Sequence, residues 1–253
     1  MLCKRPDGYH EIETIMLPVP IYDILEIVPT ESFEYKSYGL AIPDDGNLSL
    51  VENAYQLMHE NYGIGPVGIH LKKQIPIGAG LGGGSSDAAF TLKALNHWFT
   101  LGLSAETLKS HAASLGSDCP FFIENKPALA TGRGEKLTQI PIQTEDLYLV
   151  LCNPDIHIGT AEAYQSLVPA QNSLKNLTQI EREQWQTTFV NDFEVSIGSR
   201  HRLIAEGIEM LKANGAFYAA MSGSGSSYFG LFYQPPIELE TAGLIYSGKF
   251  LID

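Results

Sequence analysis

The chain has 253 residues, 44% hydrophobic and 18% charged, enough to bury a full core as one large domain or two smaller ones. Its net charge of −13 repels phosphate backbones and anionic lipid at long range, so nucleic acid and membrane surfaces are excluded as partners, and any phosphate site must be built locally. Cys3, Cys119 and Cys152 stand far apart with no C-x-x-C pair, and no two of the seven histidines are three or four residues apart, so neither a disulfide framework nor a histidine metal site is expected. After Met1 the chain meets Lys4, Arg5, Pro6 and Asp7 without an apolar leader, and the longest apolar run, 147–152, is too short to span a bilayer, so a cytoplasmic protein is expected.

In chain order, Pro6-Asp7-Gly8 reads as a turn that presents Tyr9 and His10 at the start of a strand through Ile12 and Ile15. A second strand runs through Ile21, Ile24, Leu25 and Ile27, a turn follows at 43–46, and a helix at 47–59. A strand at 67–72 leads into a glycine-rich loop, then a helix over 86–99. Ser104 caps a further helix, with Leu108, Ala112 and Leu115 on one face and Gly116 at its end. Asp118 and Pro120 stand at its exit. Residues 127–152 look β-like until Asn153-Pro154 break the run. Trp185 anchors a helix in the weakly periodic stretch between 169 and 191. A helix over 199–213, a strand, the loop 222–227 and a strand at 228–233 follow. The mixture predicts an α+β protein with a boundary near Asp146.

The most informative stretch is Pro76-Ile77-Gly78-Ala79-Gly80-Leu81-Gly82-Gly83-Gly84-Ser85-Ser86-Asp87-Ala88-Ala89. Glycines between a strand and a helix start let bare backbone N–H groups and the positive helix end hold an oligophosphate. Gly78, Gly80 and Gly83 fit G-x-G-x-x-G, but the preceding strand alternates polar and apolar residues, includes Lys72 and Lys73, and has no evident βαβ partner, which argues against a dinucleotide fold. A Walker loop would end Gly-Lys-Ser/Thr, whereas this one ends Gly84-Ser85-Ser86-Asp87. What remains is a longer phosphate loop whose serine hydroxyls can face phosphate or hydrated Mg²⁺.

That segment resembles the phosphate-binding motif of the GHMP kinase superfamily over fourteen consecutive residues, and Met221-Ser222-Gly223-Ser224-Gly225-Ser226 is similar to the superfamily's third motif, a glycine loop packed against the first. Lys4 to His10, KRPDGYH, resembles the signature of the diphosphocytidyl methylerythritol kinases within it. So do Leu115 to Phe122 (LGSDCPFF), Thr131-Gly132-Arg133-Gly134-Glu135 and Asn191-Asp192-Phe193-Glu194.

The resemblance implies a two-domain GHMP kinase fold, residues 1–145 and 146–253, with mixed and antiparallel sheets and helices packed on them. It implies ATP with Mg²⁺ as cofactors, phosphates held in 76–86, and a small diphosphocytidyl alcohol as the partner, in a monomer or homodimer. Asp118 would be the catalytic aspartate. Tyr9 would stack on the cytosine, His10 would bond its edge, and Tyr164 would cover its other face. Asn47 and Asn53 are candidates for adenosine contact, or caps.

In the family a strand bearing Ala-Lys-Ile/Leu-Asn precedes this signature, and its lysine pairs with the catalytic aspartate. Only Met1, Leu2 and Cys3 precede Lys4 here, so a chain shortened by one strand, and a poor kinase in this form, is expected. The alternatives are a catalytically impaired nucleotide-binding protein or a GHMP kinase for another small alcohol.

Overall fold

A computed structural model describes residues 1–6, 10–43, 46–165, 174, 180–236, 239, 241 and 243–252. In chain order it contains β1 (Cys3–Lys4), β2 (His10–Met16), β3 (Ile24–Pro29), β4 (Glu34–Gly39), α1 (Leu50–Tyr62), β5 (Val67–Lys73), α2 (Gly83–Trp98), α3 (Ala105–Leu115) and α4 (Cys119–Glu124). There follow β6 (Ala128–Gly132), β7 (Lys136–Gln139), β8 (Tyr148–Cys152), α5 (Thr160–Gln165), α6 (Trp185–Thr188), α7 (Phe193–Arg200), α8 (Arg202–Ala213), β9 (Tyr218–Met221), β10 (Tyr228–Phe232) and β11 (Leu244–Lys249). The α+β expectation holds. Among the described residues no helix is long and apolar enough to cross a membrane.

Three sheets carry the helices, in the orders β1-β2-β6-β7, β3-β5-β4 and β11-β8-β10-β9. The first and third are antiparallel throughout. In the second, β5 pairs antiparallel with β3 and parallel with β4. The β4-α1-β5 crossover is therefore a βαβ unit immediately before the glycine loop, which corrects the expectation that the loop has no such partner. That unit escapes a pattern search because β4 (EYKSYG) is a polar edge strand without apolar alternation.

Local chemistry sets the helix ends. Ser49 and Glu52 form a reciprocal capping box, the Ser49 hydroxyl accepting from the Glu52 N–H at 3.2 Å and the Glu52 carboxylate from the Ser49 N–H at 2.9 Å. This starts α1 three residues later than the predicted 47, and Gly63 ends it in the left-handed region. Ser104 caps α3 through the Thr107 N–H at 3.2 Å. The single helix predicted over 199–213 is two, because His201 leaves helical geometry (φ −124°, ψ 77°) between α7 and α8.

The apolar side chains form three clusters. One joins α1, α2 and α3 to β5, with Met58, Ile69, Leu71, Leu92 and Leu95 at its centre. Strand β8 explains the unbroken apolar run: Val150 and Cys152 face the second cluster, with Ile197, Ile204 and Leu211, while Leu149 and Leu151 face the third, with Leu231 and Phe250. A strand buried on both faces has no polar side to alternate with. The third cluster also receives Leu17, Val19, Ile21 and Leu81 from the first part of the chain, so the glycine loop is wedged against it. Each such buried aliphatic side chain contributes about 1.5–3 kcal/mol. Trp185, at the start of α6, packs its ring beside Phe189, Phe217 and Tyr218 on that side.

Candidate active site

Loop 76–86 spans from the end of β5 to the first turn of α2. The first bond of the helix runs from the Ser86 N–H to the Gly82 carbonyl at 2.9 Å, so the N–H groups just before it lack helical partners and point out of the positive end. Two glycines are obligatory. At Gly80 (φ +74°) a Cβ would lie 2.1 Å from the Ser222 carbonyl oxygen, and at Gly82 (φ +68°) it would lie 2.9 Å from the Phe122 ring. Ala79 is buried; Ile77 and Gly78 are exposed, with His157 beside Gly78.

The loop is held from behind by a buried ionic group. Lys73 donates to Asp23 and to Asp87 (2.8 Å), all three side chains being under a tenth exposed. Asp23 also accepts the N–H groups of Gln74 (2.5 Å) and Ile75 (2.9 Å), fixing the chain where it leaves β5. Burial pushes the Asp87 carboxyl up to about 6, with Lys73 pulling the other way. The Lys73 ammonium lies 2.9 Å from where a Cβ on Gly83 would stand, beneath the start of α2. Lys73 thus corrects the reading of this strand as polar on one side: its charge is satisfied inside. A lysine ending an alternating run gives no sequence signal for two carboxylates at positions 23 and 87.

Asp118 precedes α4 but makes no side-chain cap to it. It is exposed, yet the protein around it desolvates its carboxyl enough to raise the pKa. Its Oδ1 is 3.1 Å from the position of a Cβ on Gly134, a residue at φ +118° in the turn between β6 and β7. The neighbouring Cys119 thiol is pushed by burial up to about 11 and bonds the Ser85 hydroxyl of the glycine loop. On the other side the Asp118 charge reaches Tyr164, whose hydroxyl is raised first by burial and then by that carboxylate. Asp118 therefore has both the Ser85 end of the loop, through Cys119, and Tyr164 in its neighbourhood.

Tyr164 belongs to an aromatic row drawn from three elements. His10 begins β2, Tyr164 lies on α5 and Phe193 begins α7. The His10 and Tyr164 rings are 5.0 Å apart and tilted by 35°, and Phe193 meets Tyr164 edge-on, also at 5.0 Å. Tyr9 lies outside the described residues. Asn53 donates to the Leu48 carbonyl at 3.2 Å, a local bond at the start of α1.

The second glycine loop, 222–227, joins β9 to β10 and packs on the first. The Ser222 hydroxyl donates to the Gly80 carbonyl at 2.8 Å and the Ser227 N–H to the Ala79 carbonyl at 3.0 Å. Asn191 and Glu194 hold this second loop from the far side, through Met221 and Gly223.

The first part of the chain, residues 49–126, matches the GHMP kinases N terminal domain, and residues 166–243 match the GHMP kinases C terminal domain. The chain is 44% identical to the 4-diphosphocytidyl-2-C-methyl-D-erythritol kinase of Parabacteroides distasonis, covering 93% of this chain and 88% of that one. It is also 44% identical to the enzyme of that name from Bacteroides fragilis, covering 90% and 86%. A crystal structure of 4-(cytidine 5'-diphospho)-2C-methyl-D-erythritol kinase superposes with a TM-score of 0.77 at 32% identity, over 92% of this chain and 85% of that one. With both glycine loops, the relatives and the two domain matches in place, the chain belongs to the 4-diphosphocytidyl-2-C-methyl-D-erythritol kinase family of the GHMP kinases.

Proposed function

We propose that this chain transfers the γ-phosphoryl group of ATP to the 2-hydroxyl of 4-diphosphocytidyl-2-C-methyl-D-erythritol, a step in making isoprenoid precursors. The observation that carries this reading is that Asp118 neighbours both the Ser85 end of the glycine loop, through Cys119, and Tyr164, which pairs with His10. Phosphates on one side and a base on the other bring a hydroxyl of the linking alcohol to the carboxylate.

In this reading the N–H groups of 76–86 and the start of α2 hold the phosphates. Tyr9 and Tyr164 sandwich the cytosine and His10 bonds its edge; stacking of this kind contributes about 1–3 kcal/mol per base. Asp118 accepts or orients the hydroxyl proton, and its raised pKa brings it closer to the working pH of a general base. Most of the remaining catalysis is alignment and charge neutralisation. The hydroxyls of Ser85 and Ser86 are hard oxygen donors that suit Mg²⁺, which would enter with the nucleotide and neutralise charge on its phosphates. A cytoplasmic location, where ATP is supplied, is part of the proposal.

Phosphorus NMR of a reaction with ATP, Mg²⁺ and the diphosphocytidyl alcohol tests it. The expected result is one new phosphomonoester, on the 2-hydroxyl, per ADP formed. Phosphorylation of a different small alcohol in its place, or ATP turnover that ignores the alcohol, would overturn it.

A further inference from the structure

The segment Asn191-Asp192-Phe193-Glu194 touches neither the glycine loop 76–86 nor Asp118 in any bond described above, yet it contacts the supports of both ligand positions. The Asn191 side-chain amide donates to the carbonyls of Met221 and Gly223, both at 2.8 Å, while its oxygen accepts the Phe193 N–H at 3.0 Å. Glu194 accepts the Met221 N–H at 2.8 Å. Two side chains thus fix the entry to the loop 222–227, at Met221 and Gly223. That loop is closed on itself by the Ser222 and Gly225 N–H groups, bonding the Ser227 and Ser222 carbonyls at 2.8 and 2.9 Å. Its outer surface interlocks with Gly80, where no space remains even for a methyl group. A shift of Met221 or Gly223 must therefore move Ala79 and Gly80. In the same segment, the Phe193 edge fixes the plane of the Tyr164 ring, which in turn faces His10.

We propose that Asn191-Asp192-Phe193-Glu194 is a positioning element that sets the nucleotide loop and the base-stacking ring at once, Asn191 and Glu194 acting on the first through Ser222 and Phe193 acting on the second through Tyr164. It rests on the functional reading above. Because the two arms leave the segment in different directions, damage to each is separable: one side chain governs nucleotide affinity and its neighbour two positions on governs affinity for the cytidine end. A segment that only stabilised the fold would change both affinities together or neither.

The test is calorimetric titration of the full chain with a non-hydrolysable ATP analogue and, separately, with cytidine diphosphate. Asn191→Ala is expected to weaken the ATP analogue about tenfold, the consequence of losing two hydrogen bonds, and to leave cytidine diphosphate within about twofold. Phe193→Leu is expected to do the reverse. Glu194→Ala should resemble Asn191→Ala, and Glu194→Gln, which keeps an oxygen facing the Met221 N–H, should restore ATP-analogue affinity. If Asn191→Ala does not fold, Ser222→Ala decides the nucleotide arm, since it removes only the bond to Gly80. Folded variants with unchanged affinities, or equal losses for both ligands, would overturn the positioning role. A wild-type chain that bound neither ligand would instead overturn the functional reading.

Discussion

The two sides of the proposed site are built by different means. The proposed nucleotide side is backbone: a contiguous loop with left-handed glycines, braced by Lys73 with its two carboxylates and by Ser222. The proposed substrate side is side chain: rings at positions 10, 164 and 193, carried by a strand and two helices, with Asp118 from the start of a fourth element. A backbone site tolerates any residue that keeps its dihedral angles, whereas a ring site depends on what each supporting element does. The first should fail through geometry and the second through loss of contact area.

The largest effect belongs to the residue where the two sides meet. Asp118→Asn should lower kcat about 10²–10⁴-fold with both ligand affinities retained, as measured by steady-state ADP release and titration. Because burial raises the folded-state pKa of Asp118, the folded protein holds that proton more tightly than the unfolded chain. Its ionisation at neutral pH therefore opposes folding, and the same variant should melt no lower than the parent at pH 8. A fall in melting temperature would put Asp118 in a supporting role.

Gly80→Ala sharpens the contrast on the backbone side. A methyl group 2.1 Å from the Ser222 carbonyl, at φ +74°, must displace one loop from the other. The ATP KM should rise at least about tenfold with the alcohol KM little changed. Tyr164→Leu is the counterpart: removal of one stacking face should raise the alcohol KM about five- to tenfold and leave the ATP KM alone, in keeping with about 1–3 kcal/mol per stacked base. Crossed effects in either variant would dissolve the distinction between the two sides.

The smallest effect concerns the brace. The Asp87 carboxyl, near 6 in the fold against an ordinary 3.8, binds its proton more tightly folded than unfolded. Stability from this group is fully present below about pH 4 and is lost as pH rises towards 6. Asp87→Asn should flatten that part of the stability–pH curve measured by urea unfolding, with no change in slope above pH 7.

What could be read in the sequence follows the same division. The glycine loop occupies consecutive positions, so its dihedral needs and its place between strand and helix are visible directly, as is the serine cap at 104, whereas the cap at Ser49 is missed by a helix read as starting at 47. The braces are not. Lys73 ends a strand that alternates like a surface strand, and only folding brings positions 23 and 87 to it. The edge strands β4 and β11 lack apolar alternation because no residue of either is fully buried, so neither has a core face to mark it. Asp118, His10 and Tyr164 were identified through resemblance to a known family, since nothing in their spacing says that 10, 118 and 164 share a site. His157 beside Gly78 carried no signal at all.

The central claim is that a nucleotide on the glycine loop and a base on the His10–Tyr164 pair bring the acceptor hydroxyl to Asp118. A crystal structure of the chain with a non-hydrolysable ATP analogue and the diphosphocytidyl alcohol tests it most directly. The account predicts the 2-hydroxyl about 2.6–3.2 Å from an Asp118 carboxylate oxygen and facing the terminal phosphate. A base stacked elsewhere, or a 2-hydroxyl turned away from Asp118 with the phosphates in place, would contradict it.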